Sequence, residues 1–203
     1  MFILVSICGQ FLPAATKKNK DMIKTSANHY LNAGLVVCLV FLCSFVSFAQ
    51  EKAPASPPAS ATAKIGSTDV TIKYSSPAVK GRKIWGDLVP YGQVWRTGAN
   101  EATTITFSKD VTVEGQKLEA GTYALFTVPG DTEWTIVFNK TAKQWGAFKY
   151  DQAQDALRVK VKPTSTKSTN ERMKIDVQPK GKNAGVVTIM WENLAVPFTV
   201  KAS

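Results

Sequence analysis

From Thr68 to the C-terminus, outside one long irregular stretch, apolar residues mostly return at every second position. "TDVTIKYSS" puts Val70, Ile72 and Tyr74 on one face, and "EATTITFS" puts Thr103, Ile105 and Phe107 opposite Thr104, Thr106 and Ser108. "EWTIVFNK" groups Trp134, Ile136 and Phe138. "ALRVKVKP" sets Leu157, Val159 and Val161 against Arg158, Lys160 and Lys162, and "RMKIDVQP" sets Met173, Ile175 and Val177 against Lys174 and Asp176. Successive side chains of a strand point to opposite faces, so this pattern is that of strands with one buried face. "GTYALFTVPG" is apolar on both faces and reads as a central strand, while "DVTVEG", "AGVVTIMWEN" and "VPFTVKA" complete the set. Turn residues separate the runs, as at Glu114-Gly115 and Pro129-Gly130-Asp131. The expected fold is all-β: an antiparallel β-sandwich or barrel-like domain of about eight or nine strands with one long ordered loop. "TAKQWGAFKYDQAQDA" has room for a short helical turn.

Two segments of other character precede this pattern. Residues 1–49 read as a leader. Ala33 to Ala49, "AGLVVCLVFLCSFVSFA", is an apolar run ending in small residues, which predicts a signal peptide cut before Gln50. Met22 gives that leader its usual layout, with a short basic region before the apolar run, and so is the expected start. The run is short for a membrane span and has no basic flank after it, so no stable membrane anchor is expected. Residues 50–63, "QEKAPASPPASATA", read as a Pro/Ala/Ser-rich spacer, with the β domain occupying residues 64–203. The expected location is the periplasm or the extracellular medium.

The cysteines, Cys8, Cys38 and Cys43, and the lone His29 all lie in the leader. The exported chain therefore has no disulfide, no Ser-His-Asp or Cys-His nucleophilic site, and no imidazole or thiolate for zinc, copper, haem or an iron–sulfur cluster. No Gly-rich phosphate loop is present, and neither cofactor nor metal is expected. The formal charge of +10 is spread along the chain rather than clustered. Together with export, this argues against a nucleic-acid partner.

Val79 to Asn100 breaks the strand pattern. An irregular stretch this long in a compact domain is usually functional or disordered, and its aromatics Trp85, Tyr91 and Trp95 argue for order. These rings, with Trp145 further on, offer flat apolar surfaces, while Arg82, Arg96, Asn100 and Glu101 offer directional hydrogen bonds and charge. The candidate ligand-binding set is thus Arg82, Trp85, Tyr91, Trp95, Arg96, Asn100, Glu101 and Trp145. Trp134 and Trp191, lying in strand patterns, read as core. A packed corner competes with a binding surface: Trp85 and Trp95 are equally suited to anchoring the loop, Arg96 and Glu101 to pairing with each other, and Asn100 to a turn.

The runs "SSPAVKGRKIWGDLVPYGQVWRTGANEATTITF", "LEAGTYALFTVPG", "WTIVFNK" and "WGAFKYDQAQDALRVKVKP" resemble an exported bacterial family of unknown function, domain-of-unknown-function 2911, over roughly residues 64–203. The resemblance implies a Gram-negative-type exported protein and no particular activity. The leading functional expectation is non-catalytic binding of a glycan, small anionic ligand or protein partner through the 82–101 loop. The alternatives are a glycosidase-like carboxylate hydrolase using Glu101 with Asp87 or Asp151, and a structural envelope protein without a ligand.

Overall fold

The computed structural model describes residues 54–203, so the expectations for the leader, its cleavage and its start lie outside the described residues. Among these residues, ten strands form two antiparallel sheets, not a closed barrel. The larger runs in the order β1 (Pro58–Ile65), β2 (Thr68–Ser75), β3 (Thr104–Phe107), β6 (Gly121–Val128), β7 (Trp134–Asn139), β8 (Asp155–Val161). The smaller runs β5 (Gln116–Leu118), β4 (Val111–Val113), β10 (Ala184–Ala202), β9 (Thr164–Lys180). Among the described residues, one 3-10 turn, Gln152–Gln154, falls within the stretch with room for one.

The alternating residues face each other across the gap between the sheets. Ile72, Ile105, Phe107, Leu125, Trp134, Ile136 and Phe138 from one sheet meet Val113, Ile175, Val187, Ile189, Trp191, Phe198 and Val200 from the other. Burying this apolar surface is the main favourable term in folding, at roughly 25 cal/mol per Å². Trp134 and Trp191 are core residues, as their strand positions imply.

Three details depart from the sequence reading. Order begins before Lys64: β1 starts at Pro58 and pairs in register with β2 from Pro58↔Ser75 to Ile65↔Thr68. The second half of the expected spacer is therefore an edge strand. Its alternation is carried by small residues, with Ala61 and Ala63 packed against the core and Ile65 fully buried. Proline is tolerated where it stands, at the first residue of an edge strand. The short β5 was not expected either; it pairs with β4 across a two-residue turn, Glu114-Gly115, in which both residues have positive φ. Conversely, "AGVVTIMWEN" and "VPFTVKA" are one strand. Along β10 the buried positions are Val187, Ile189 and Trp191, then Val196, Phe198 and Val200. The parity switches at a bulge around Glu192, whose φ is 52°. A bulge inserts an extra residue and so carries the buried set across the shift.

β6 lies at the middle of its sheet, and its second apolar face needs a cover of its own. On the outer side, Ala102, Ala124, Phe126 and Val137 form a small separate cluster, closed over by Val94, Val128, Ala147 and Tyr150. Apart from Val128, at the end of β6, that cover comes from two loop segments, and they build the candidate site.

Candidate functional site

β3 is short and pairs with β6 only from Thr104↔Ala124 to Phe107↔Gly121. The rest of that edge of β6 is taken by the long loop. Leu125 N–H donates to Thr103 O (2.7 Å), Trp95 and Thr127 exchange backbone bonds of 2.8 and 2.9 Å, and Gly92 N–H donates to Pro129 O (2.8 Å). The loop is thus held as a strand is, by backbone bonds, without being a regular strand. Between Arg96 and Thr103 the chain makes a tight excursion closed by Thr103 N–H to Arg96 O (3.2 Å). Thr97, fully buried, takes a φ of 54°, costly for a β-branched residue. Its carbonyl accepts from the Thr103 hydroxyl at 2.7 Å. Gly98 passes so close to Ser75 that a β-carbon there would lie 3.0 Å from the Ser75 carbonyl oxygen.

The second segment, residues 140–150, docks on the first. Ala102 N–H donates to Gln144 O (3.0 Å) and Gly146 N–H to Asn100 O (3.1 Å), bringing Glu101 opposite Trp145. Asn139, fully buried, clamps the ends of this segment. Its amide nitrogen donates to Asp151 O (2.9 Å) and Asp155 Oδ1 (2.8 Å), and its oxygen accepts from Thr141 N–H (3.0 Å). Tyr150 adds a second tie: its hydroxyl donates to Asp155 Oδ2 (2.5 Å) and accepts from Arg158 Nη1 (2.8 Å). Burial, then the hydrogen bond and charge of Asp155, push the Tyr150 phenol up to about 12, against a smaller opposing pull from Arg158.

The candidate residues separate into two groups. Trp85 is 8 % exposed and belongs to the core, packed edge-on to Trp134 with ring centres 4.9 Å apart. Trp95 is half-buried and stacks on Trp191 at 5.7 Å. Arg82 holds its own loop, donating from Nε to Val79 O (3.0 Å) and from Nη2 to Ala78 O (2.6 Å). Asn100 takes a left-handed φ of 60° and donates to Ser75 Oγ (3.3 Å), which is a turn role. Tyr91 is exposed along one edge, with its ring packed over Gly86.

The second group faces outward. Val94 lies over the outer cluster, so Arg96, two residues on, shares its side of the sheet. Among the described residues, neither Arg96 nor Glu101 forms an ion pair, so the pairing of these two is not realised. Arg96 Nε is buried without a hydrogen-bond partner. Its Nη1 lies 3.3 Å from where a β-carbon on Gly146 would stand, and the Phe148 ring lies 3.0 Å from that point. Gly146, with φ of 65°, thus supplies both the turn and the space that Arg96 and Phe148 share. Arg96, Trp95 and Val94 line a groove of about 430 Å³ with Leu88, Ala147 and Phe148. Leu88 (45 % exposed) and Phe148 (82 % exposed) are large apolar groups left in water.

Glu101 and Trp145 lie on a different groove. The carboxylates proposed to work with Glu101 are placed otherwise. Asp151 caps the 3-10 turn by accepting from Ala153 N–H (2.9 Å), and neither it nor Asp87 lines a groove with Glu101. No group of three or more His, Cys, Asp or Glu is arranged to hold a metal among the described residues. Sequence reasoning missed Leu88, Gln144 and Phe148: a lone residue in an irregular run, apolar or polar, has no period to reveal its direction.

The fold and this loop-covered outer face define a two-sheet antiparallel β protein that presents open grooves beside an inserted loop. The chain belongs to the family described as Protein of unknown function (DUF2911), whose model matches residues 56–200. No curated protein and no solved structure matches it.

Proposed function

We propose that this protein is a non-catalytic binding module whose 82–101 loop, together with residues 146–148, receives a small amphiphilic anion. The occupant has a carboxylate or phosphate head against Arg96 and an apolar body along Leu88, Val94 and Phe148. The supporting observation is Arg96 itself: a guanidinium on a groove that Leu88, Val94 and Phe148 also line, with a buried Nε that no protein group satisfies. A buried unpaired donor is costly, and a planar guanidinium matches the two oxygens of such a head group. The groove volume lies within the range of small-molecule sites. Export to the periplasm or beyond, expected from the leader, places such ligands within reach.

The test is calorimetric titration with decanoate and, as an uncharged control, decanol. Decanoate binds saturably, decanol at least about tenfold more weakly, and Arg96→Gln loses the difference with the fold intact by circular dichroism. Equal affinity for the two, or an unchanged Arg96→Gln variant, refutes the proposal.

A further inference from the structure

On the other side of the 144–148 segment, two depressions of about 530 and 280 Å³ run along the outer face of β1–β3. They share Glu101, Ala102, Thr104 and Lys143, and so form one continuous groove. At one end stands Trp145, 62 % exposed; the other four tryptophans are buried or half-buried in a mutual cluster. A large flat ring left in water at the head of a groove is an unpaid apolar surface with polar neighbours on one side.

Beside it, Gln144 Oε1 is buried with no partner. The amide orientation is set independently, because Nε2 donates to Thr141 O at 2.7 Å. Turning the amide over would break that bond, so the orphan atom is an acceptor awaiting a donor. Glu101 and Thr104 add a carboxylate and a hydroxyl along the same wall, and Glu101 is the single carboxylate in it. Lys73 and Lys143, both exposed and without an ion pair among the described residues, leave the groove with a positive excess.

We infer that this groove is a second binding site, separate from that of Arg96, for a short acidic oligosaccharide. The apolar face of a pyranose ring, made of C–H groups, covers Trp145. Sugar hydroxyls donate to Gln144 Oε1 and Glu101, and a uronate carboxylate lies between Lys73 and Lys143. The ligand class follows from this combination: one flat ring, acceptors for hydroxyls, and two cations spaced along an open trough. No bond is made or broken, because the groove has no second carboxylate to work with Glu101.

Titration calorimetry with oligogalacturonate, with a cello-oligosaccharide of equal length as the neutral control, tests this. Oligogalacturonate binds saturably and shifts tryptophan emission, since Trp145 is the fluorophore most open to water. Trp145→Ala, a surface change that leaves the fold intact, abolishes binding. The double variant Lys73→Gln/Lys143→Gln weakens it by about tenfold or more. Arg96→Gln leaves it unchanged, which distinguishes failure here from failure at the other groove. Absence of a saturable signal, an equally tight neutral oligosaccharide, or wild-type affinity in Trp145→Ala overturns the inference.

Discussion

Tyr150 shows how one side chain holds a functional surface in place. Its hydroxyl bridges Asp155 and Arg158 at the base of the segment that carries Trp145 and Phe148. With its phenol raised to about 12 from an ordinary value of 10.0, the folded protein favours the protonated form. The stabilisation is therefore complete below pH 10 and is lost as pH rises from there through about 12. Tyr150→Phe removes about 1 kcal/mol at pH 7. In urea melts, the gap between wild type and variant narrows across that alkaline window; a constant gap contradicts the assigned role. Nothing in the local sequence "FKYDQ" marks this tyrosine, because its partner Arg158 belongs to the following strand. The same holds at Arg96: its presence in a loop was legible, but the lack of a partner for its buried Nε was not. The tryptophans show the other side of this limit. A ring in a strand pattern declares its direction, as Trp134 and Trp191 do, whereas the irregular run around Trp85 left both core and surface readings open.

At the scale of the element, β10 is the most informative strand. Its alternation was plain on both sides of Glu192, and the break in parity made it read as two strands. The bulge keeps one continuous strand buried on one face throughout. Deleting Glu192 brings Val196, Phe198 and Val200 into step with Val187, Ile189 and Trp191, so a regular strand without the bulge buries the same residues. The expected outcome is a cooperative thermal transition that survives the deletion. Glu192→Gly suits a φ of 52° and also keeps the fold. A deletion variant without a cooperative transition refutes the bulge's role as the place where the parity shift is absorbed. The 79–100 loop is the opposite case: expected to be ordered by its aromatics, it is ordered as much by the edge of β6 left open beyond the short β3.

For the whole molecule, the consequential correction is β1. The Pro/Ala/Ser composition of residues 50–63 resembles a linker, yet Pro58–Ile65 closes one edge of the larger sheet and packs toward β9. A chain beginning at Lys64 therefore loses its edge strand. Relative to one beginning at Pro54, we expect a loss on the order of 3 kcal/mol and a melting temperature lower by roughly 10 °C. Equal melting temperatures would mean that the strand contributes nothing. The truncation also strips Pro58, Ala59 and Ser60 from the wall of the outer groove, so oligogalacturonate binding weakens with it.

The sequence by itself determined the all-β class, most of the strands and their buried faces, and the ordered long loop. Each of these is written in a local period or its interruption, and strand geometry converts that period directly into direction. It also determined the chemistry left to residues 64–203, since neither His nor Cys occurs there. Only the tertiary structure decided that Trp85 belongs to the core while Trp145 stands in water. It likewise decided that Arg96 and Glu101 serve different grooves, and that an alanine-rich edge strand completes the sheet. Those outcomes depend on residues far apart in the chain arriving at the same place. Their side chains then answer to the space and partners found there, which no local pattern encodes.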